Sequence, residues 1–357
     1  MWAMIAKEFR ELRRDRRTVA MMIVLPVVLL VVFGYAANFK VHDIPTVVVG
    51  PGARQAAALL HAPTFGVIQV DAAAREPAAR AQLRDGRAVV AVVTGGSRPL
   101  VLLDGTQVFS VQTAENALAR MAPAAGFPAA RLRVLYDPRL TTSWVMVPGL
   151  AGLILVFIGT LITSLGVVRE RQSGTLEQLA VMPLRAWEVI AGKIAPYLMV
   201  AVVDLILIIV IGMGIFHVPF AGSVAVFALG AALFLLVTLG MGVLVSTVSQ
   251  NQGQAIQLAF MIVLPQVLLS GLIFPVSSMA PGVRWISYVL PLTYFIDISR
   301  GVMLKAEPLS SLWEPVVLLS LLAVVVLGLA ITRFRRDLAP SSRKDQERAR
   351  AGQAAAI

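Results

Sequence analysis

The sequence predicts a polytopic α-helical membrane protein of six transmembrane helices, with an inserted extracytoplasmic α/β domain and an N-terminal interfacial amphipathic helix. Three observations carry this. Of 357 residues, 58% are hydrophobic and 14% charged, with a mean hydropathy of +0.81, whereas a soluble domain carries roughly 25% charged residues. Apolar runs long enough to span recur, since a hydrocarbon core of about 30 Å takes about 20 helical residues. Between residues 38 and 143 those runs shorten, charges return, and short β and α patterns alternate.

The same composition excludes several classes. Cysteine is absent, which removes disulfide frameworks and thiol chemistry. His42, His61 and His217 are too scattered for a metal cluster. The net charge of +11 lies largely in the two ends of the chain, where basic residues set membrane orientation, so it does not imply nucleic acid.

Residues 1–17 carry Lys7, Arg10, Arg13, Arg14, Arg16 and Arg17 opposite a stripe of Trp2, Ile5, Phe9 and Leu12. That is the pattern of an amphipathic helix lying at the membrane surface. A signal peptide begins similarly, but no convincing small-residue cleavage site follows, so the segment reads as an uncleaved anchor. Residues 18–37 form the first span, with Pro26 tolerated inside it. Six basic residues before it, against Lys40 soon after, place the N-terminus in the cytoplasm.

In the inserted domain, strands are expected at 45–50 (PTVVVG), 66–70, 88–94, 99–103 and 131–136. Helices are expected at 54–61, 76–84 and 109–121, and Gly95-Gly96 reads as a turn. About 105 residues suffice for one small α/β domain. Its eleven basic residues do not overturn the outside placement, because long translocated domains largely escape the charge rule. The remaining spans are expected at about 145–168, 194–216, 222–248, 255–274 and 315–332, within a region running from 144 to 334. Residues 335–357 read as a disordered, basic cytoplasmic tail, which leaves both termini inside.

The stretch Arg169–Lys193 is the well-charged segment between two of these runs. Ser173 and Thr175 are candidate N-caps, and Glu177 and Glu188 fall early in their segments, where acids suit a helix start. Pro183 ends or kinks the first piece. Leu176, Leu179 and Ala180 share a face. Two readings stay open on physics alone: a short amphipathic helix able to dock on a partner, or a solvated loop with a frayed helix.

Residues 284–306 are too apolar for an ordinary external loop, and with Pro291 too short for a comfortable span. Broken segments at membrane depth persist only when covered by protein or lining a wet cavity. A re-entrant or interfacial hairpin within 275–314 fits; the alternative is a surface loop with an aromatic belt of Trp285, Tyr288 and Tyr294.

These two stretches resemble ABC-2 type transporter permeases. Arg169, Glu170, Arg171, Gly174, Thr175, Leu176, Glu177, Gln178, Leu179, Pro183 and Leu184 match the R-E-R-E-x-G-T-L-E-Q-L-x-x-x-P-L pattern that follows the family's second membrane helix. Gln172 departs from its usual acid. Pro291, Thr293, Tyr294, Arg300 and Gly301 match a later P-x-T-Y-x-x-x-x-x-R-G pattern, and Ser270, Gly271, Phe274 and Pro275 match S-G-x-x-F-P. The resemblance covers nearly the whole chain and points to the bacterial subgroup with a large extracytoplasmic domain, assigned to export of drugs or lipophilic compounds. It implies that 169–193 is a coupling helix moved by a separate ATP-binding-cassette ATPase subunit, which binds ATP and Mg. It also implies a second permease copy or paralogue, a homo- or heterodimer in the inner membrane. A periplasmic adaptor and membrane lipid are further expected partners; no cofactor or metal is expected on this chain.

Other chemistry is not written in the sequence. Gly192-Lys193 is the only Gly-Lys pair and lacks the upstream glycine of a P-loop, so this chain is not its own ATPase by that route. H-E-x-x-H and G-x-S-x-G are also absent. Asp204 is the one acid deep in an expected span, either functional in substrate handling or gating, or a helix–helix hydrogen bonder. Asp297 and Arg300, three apart, could pair on one helical face, and Arg300 could instead meet an anionic head group. Two other function classes are weighed. An ion-coupled secondary transporter is disfavoured by the lone Asp204 and by the lack of internal repeats. A membrane-anchored binding protein is disfavoured by six spans and an ordered cytoplasmic motif.

Overall fold

The computed structural model describes residues 43–60, 64–96, 98–121, 130–173, 186–273, 275–276, 279 and 281–338. The surface helix expected at 1–17 and the span expected at 18–37 lie outside the described residues. Among the described residues, five helices are long and apolar enough to cross a membrane. The protein is a predominantly helical, polytopic membrane protein.

Residues 44–135 build a five-stranded sheet in the order β2-β1-β3-β4-β5. Its strands are β1 (Ile44–Val49), β2 (Phe65–Asp71), β3 (Val90–Val93), β4 (Leu100–Asp104) and β5 (Arg131–Leu135). β1 runs parallel to both β2 and β3, β4 is antiparallel to β3, and β5 is parallel to β4. The antiparallel step joins β3 to β4, and just after β3 lies Gly95, whose φ of +105° excludes most side chains; a Cβ there would sit 2.8 Å from Pro51. Helices α1 (Ala53–Leu59), α2 (Glu76–Arg84) and α3 (Val108–Met121) connect the strands. Both faces of β1 are covered, because side chains alternate along a strand. Val48 packs with Ala53, Ala56 and Val111 on one face, while Val47 and Val49 pack with Ala79 and Leu83 on the other. A strand buried on both sides reads as a continuous apolar run, as VVV does here.

The chain then enters α4 (Thr142–Gln172), followed by α5 (Ala186–Ile215), α6 (Val224–Val248), α7 (Gln252–Leu269) and α10 (Trp313–Leu338), with α8 (Pro281–Ser287) and α9 (Pro291–Lys305) between the last two. α6 is the centre of the bundle, lying between α4 and α10. α4 and α6 approach so closely that a Cβ on Gly242 would fall 2.9 Å from the carbonyl oxygens of Gly159 and Thr160. Small residues permit this contact where lipid supplies no hydrophobic drive between helices. α9 wedges into the same core, with the Phe295 ring stacked on Phe234 at 4.4 Å between centroids.

Several boundaries differ from the sequence reading. α4 does not stop at 168: Arg169, Glu170 and Arg171 continue it, since all are good helix formers and the first breaker is Gly174. Its 31 residues make about 46 Å, longer than a hydrocarbon core of about 30 Å. Residues 186–193, expected within the coupling stretch, are the first turns of α5. α7 ends at Leu269 rather than 274, because Gly271 takes the left-handed conformation at φ +86° and closes the helix. α10 runs on to Leu338, so 335–338 is helical rather than tail; Pro340 is the first residue that cannot continue it.

Candidate coupling face and external junction

At one end of the bundle, the last turn of α4 ties three other helices together. Glu170 forms an ion pair with Lys193, eight residues into α5. Arg171 Nη1 donates to the Ser249 carbonyl at 3.1 Å, capping the end of α6. Gln252 at the start of α7 reaches Gln172 Oε1 at 3.1 Å. That turn is itself rigid: Asn251 caps α7 by accepting from the Gln254 N–H at 2.9 Å, while Gln254 Oε1 accepts from the Gln250 N–H. Arg169 shares the α4 terminus. Gly174, Thr175, Leu176, Glu177 and Pro183 lie outside the described residues.

Toward the other end sits α9, 15 residues or about 22 Å long, too short to cross. Pro291 opens it, with the fixed φ that suits a first helical position. Tyr294 is buried and its hydroxyl donates to the Tyr288 carbonyl, closing the α8–α9 turn together with Thr293 Oγ1, which donates to the Ser287 carbonyl at 2.8 Å. Gly301 is pressed under Glu307, where a Cβ would lie 2.9 Å from Oε2. Arg300 does not close an ion pair with Asp297, contrary to the spacing argument. Its guanidinium instead reaches across to three backbone carbonyls, Val145 on α4 and Gly271 and Leu272 beyond α7, each at 3.2 Å. The last two follow the end of α7, outside its helical hydrogen-bond ladder, and a fork of N–H groups at fixed geometry suits them. Asp297 is exposed on a helix otherwise buried nearly all round.

The end of α9 joins the sheet through charges that sequence reasoning missed. Lys305 Nζ lies 2.7 Å from Asp104 Oδ2 at the tip of β4 and 3.6 Å from Glu307 Oε1. It also donates to the Leu83 carbonyl at 3.3 Å and sits 5.8 Å from the Tyr136 ring centroid. Asp104 is held in turn by the Thr106 N–H and hydroxyl. Nearby, Ser311 donates to Asp85 at 3.1 Å. All three charged groups are buried. Burial pushes the Glu307 carboxyl up to about 7, with Lys305 opposing and Asp104 adding to the rise. Burial alone would lower Lys305, yet Asp104 and Glu307 outweigh it and hold the ammonium above its ordinary range. Burial and the Asp104 charge raise Tyr136. The available signal was three charges in apolar surroundings (LLDGT and VMLKAEP), but their separation in the chain hid the contact.

Asp204 is half-buried on α5 and makes no hydrogen bond or ion pair among the described residues. The structure does not bring it to either end cluster. No group of three potential metal ligands occurs among the described residues.

With this geometry in view, comparison with known proteins is decisive. The model of the ABC-2 family transporter proteins matches residues 16–332. The chain belongs to that family. It is similar to the probable multidrug ABC transporter permease YbhR of Escherichia coli (strain K12), 28% identical over 371 residues and covering 95% of this chain and 99% of that one. The probable multidrug ABC transporter permease YbhS of the same organism is 27% identical over 367 residues, 94% and 97% of the two chains. The inner membrane transport permease YhhJ is 28% identical over 209 residues, 58% and 55%. The protein is thus the membrane-spanning permease subunit of an ABC exporter, and ATP hydrolysis belongs to a separate subunit.

Proposed function

We propose that this permease moves a lipophilic or amphipathic compound, a drug or a lipid, out of the cytoplasm or inner leaflet of a bacterial inner membrane. The relatives named as multidrug permeases support that substrate class. An ATP-binding-cassette ATPase docks on residues 173–184, with Gly174 allowing the turn into a coupling helix, Thr175 and Glu177 supporting its start, Leu176 on its docking face and Pro183 ending it. A second copy or a paralogue completes the pathway, and a periplasmic adaptor meets the sheet domain, which lies outside with both termini in the cytoplasm.

One observation carries this reading: Glu170–Lys193 and Arg171–Ser249 bind α4, α5 and the α6–α7 turn into one unit, and α4 and α5 are the helices that precede and follow residues 173–184 in the chain. A displacement delivered there reaches four spans at once. On the outer side α9 acts as a re-entrant gate, with Arg300 fixing it to α4 and the end of α7. Such coupling needs two sites that bias one bistable element.

The test is mild-detergent purification from the host, followed by mass spectrometry. A near-stoichiometric soluble subunit bearing a P-loop is expected, and Glu177→Lys should lose it while remaining in the membrane. Export by Glu177→Lys and Gly174→Val at wild-type rate would overturn the coupling assignment.

A further inference from the structure

A cleft of about 440 Å³ opens on the flank of the bundle between α6, α7 and α10. Its walls are apolar, with Leu244, Val248, Leu258, Ile262 and Leu329 among them, and Arg333 stands at one end. Val248 is 39% and Leu329 55% exposed, so the cleft is open sideways to the bilayer rather than closed within the protein. Ile262 lies ten residues into α7, which puts the floor about 15 Å along the helix from its start. That is half of a hydrocarbon core of about 30 Å, the depth of one leaflet. Leu329 and Arg333, four apart, share a face of α10, so the apolar wall leads directly to the guanidinium. Arg333 is exposed and has no carboxylate partner among the described residues.

We propose that this cleft holds one anionic phospholipid of the adjoining leaflet, an acyl chain along Leu258, Ile262 and Leu329, and the phosphate on Arg333. The apolar walls exclude a small polar solute, and the volume falls within the roughly 300–1,000 Å³ usual for ligand sites. The guanidinium fork matches phosphate oxygens bidentately, and with no carboxylate beside it among the described residues Arg333 favours a net negative head group over a zwitterionic one. The site does not depend on which compound the permease exports.

Native mass spectrometry of the full chain in detergent tests this, titrated with phosphatidylglycerol or phosphatidylcholine of identical chains. One phosphatidylglycerol should be retained per chain, with at least tenfold preference over phosphatidylcholine. Arg333→Gln should lose the preference, Arg333→Lys should keep most of it, and Ile262→Trp should lose retention of both lipids by filling the cleft. Equal retention of the two lipids by the wild type, or an unchanged preference in Arg333→Gln, overturns the proposal. The Arg333 pair decides alone if Ile262→Trp does not fold. Because the chain has no cysteine, a disulfide between Val27→Cys and Ile262→Cys in native membranes would show that residues 18–37 fill the cleft, which also overturns it.

Discussion

Lys305 at the end of α9 lies 2.7 Å from Asp104 at the tip of β4, and both side chains are almost wholly buried. This contact binds the sheet to the segment that wedges into the membrane bundle. Removing one partner leaves an uncompensated buried charge, which costs about 3–5 kcal/mol. Lys305→Met should therefore lower the melting temperature in detergent sharply, and Asp104→Leu should lower it less, because Glu307 still faces Lys305. Lys305→Met combined with Asp104→Leu and Glu307→Gln should recover most of the loss, since uncharged replacement of a whole buried charge cluster is often neutral.

The carboxyl of Glu307 is raised to about 7 by burial, from an ordinary value near 4.5. A carboxylic acid raised on folding binds more protons in the folded state, so stability falls as pH rises from about 4.5 to about 7 and stays low above that. That difference corresponds to at most about 3 kcal/mol. Melting between pH 5 and pH 8 should show a decline in the wild type and a flatter profile in Glu307→Gln. Equal slopes in the two would rule the group out as the titrating one.

Arg300 holds three carbonyls with a planar fork. Lysine cannot reproduce that geometry, and hydrogen bonds from a charged donor contribute about 1.5–3 kcal/mol each. Arg300→Lys should insert normally yet export at least tenfold more slowly. Export at the wild-type rate would remove α9 from the gate.

The Glu170–Lys193 pair predicts a charge-swap result. Glu170→Lys should impair export by like-charge repulsion, and Glu170→Lys with Lys193→Glu should restore it. An export assay at matched expression decides, and failure of the double variant to recover would assign Glu170 to the ATPase surface instead.

Gly242→Val should separate α4 from α6, because its Cβ would meet two backbone carbonyl oxygens that cannot move aside. Overpacking of this kind costs typically about 1–3 kcal/mol. Reduced yield of folded protein by fluorescence-detected size exclusion is the expected outcome.

Much of this protein is local and therefore readable from its residues. The three-valine run of β1, the Gly95-Gly96 turn and the apolar runs from 144 onward each carry their own period or breaker, and the elements stand within a few residues of where those signals put them. Helix ends were less legible. Arg169–Gln172 and Arg333–Leu338 are charged yet helical, because aqueous helix ends tolerate charge, so hydropathy marks the membrane boundary and not the helix boundary.

The sequence by itself determined the class: hydropathy demanded membrane spans, and the R-E-R…G-T-L-E-Q-L and P-x-T-Y…R-G strings carried the family. Only the tertiary structure decided partners. Lys305 meets the Leu83 carbonyl from 222 residues away. Arg300 passes over Asp297, three residues off, for carbonyls on two other elements. Periodicity encodes which face of an element is apolar, because that depends on neighbours a few residues apart. It does not encode which distant charge or orphaned carbonyl lies opposite, because that depends on how the elements pack.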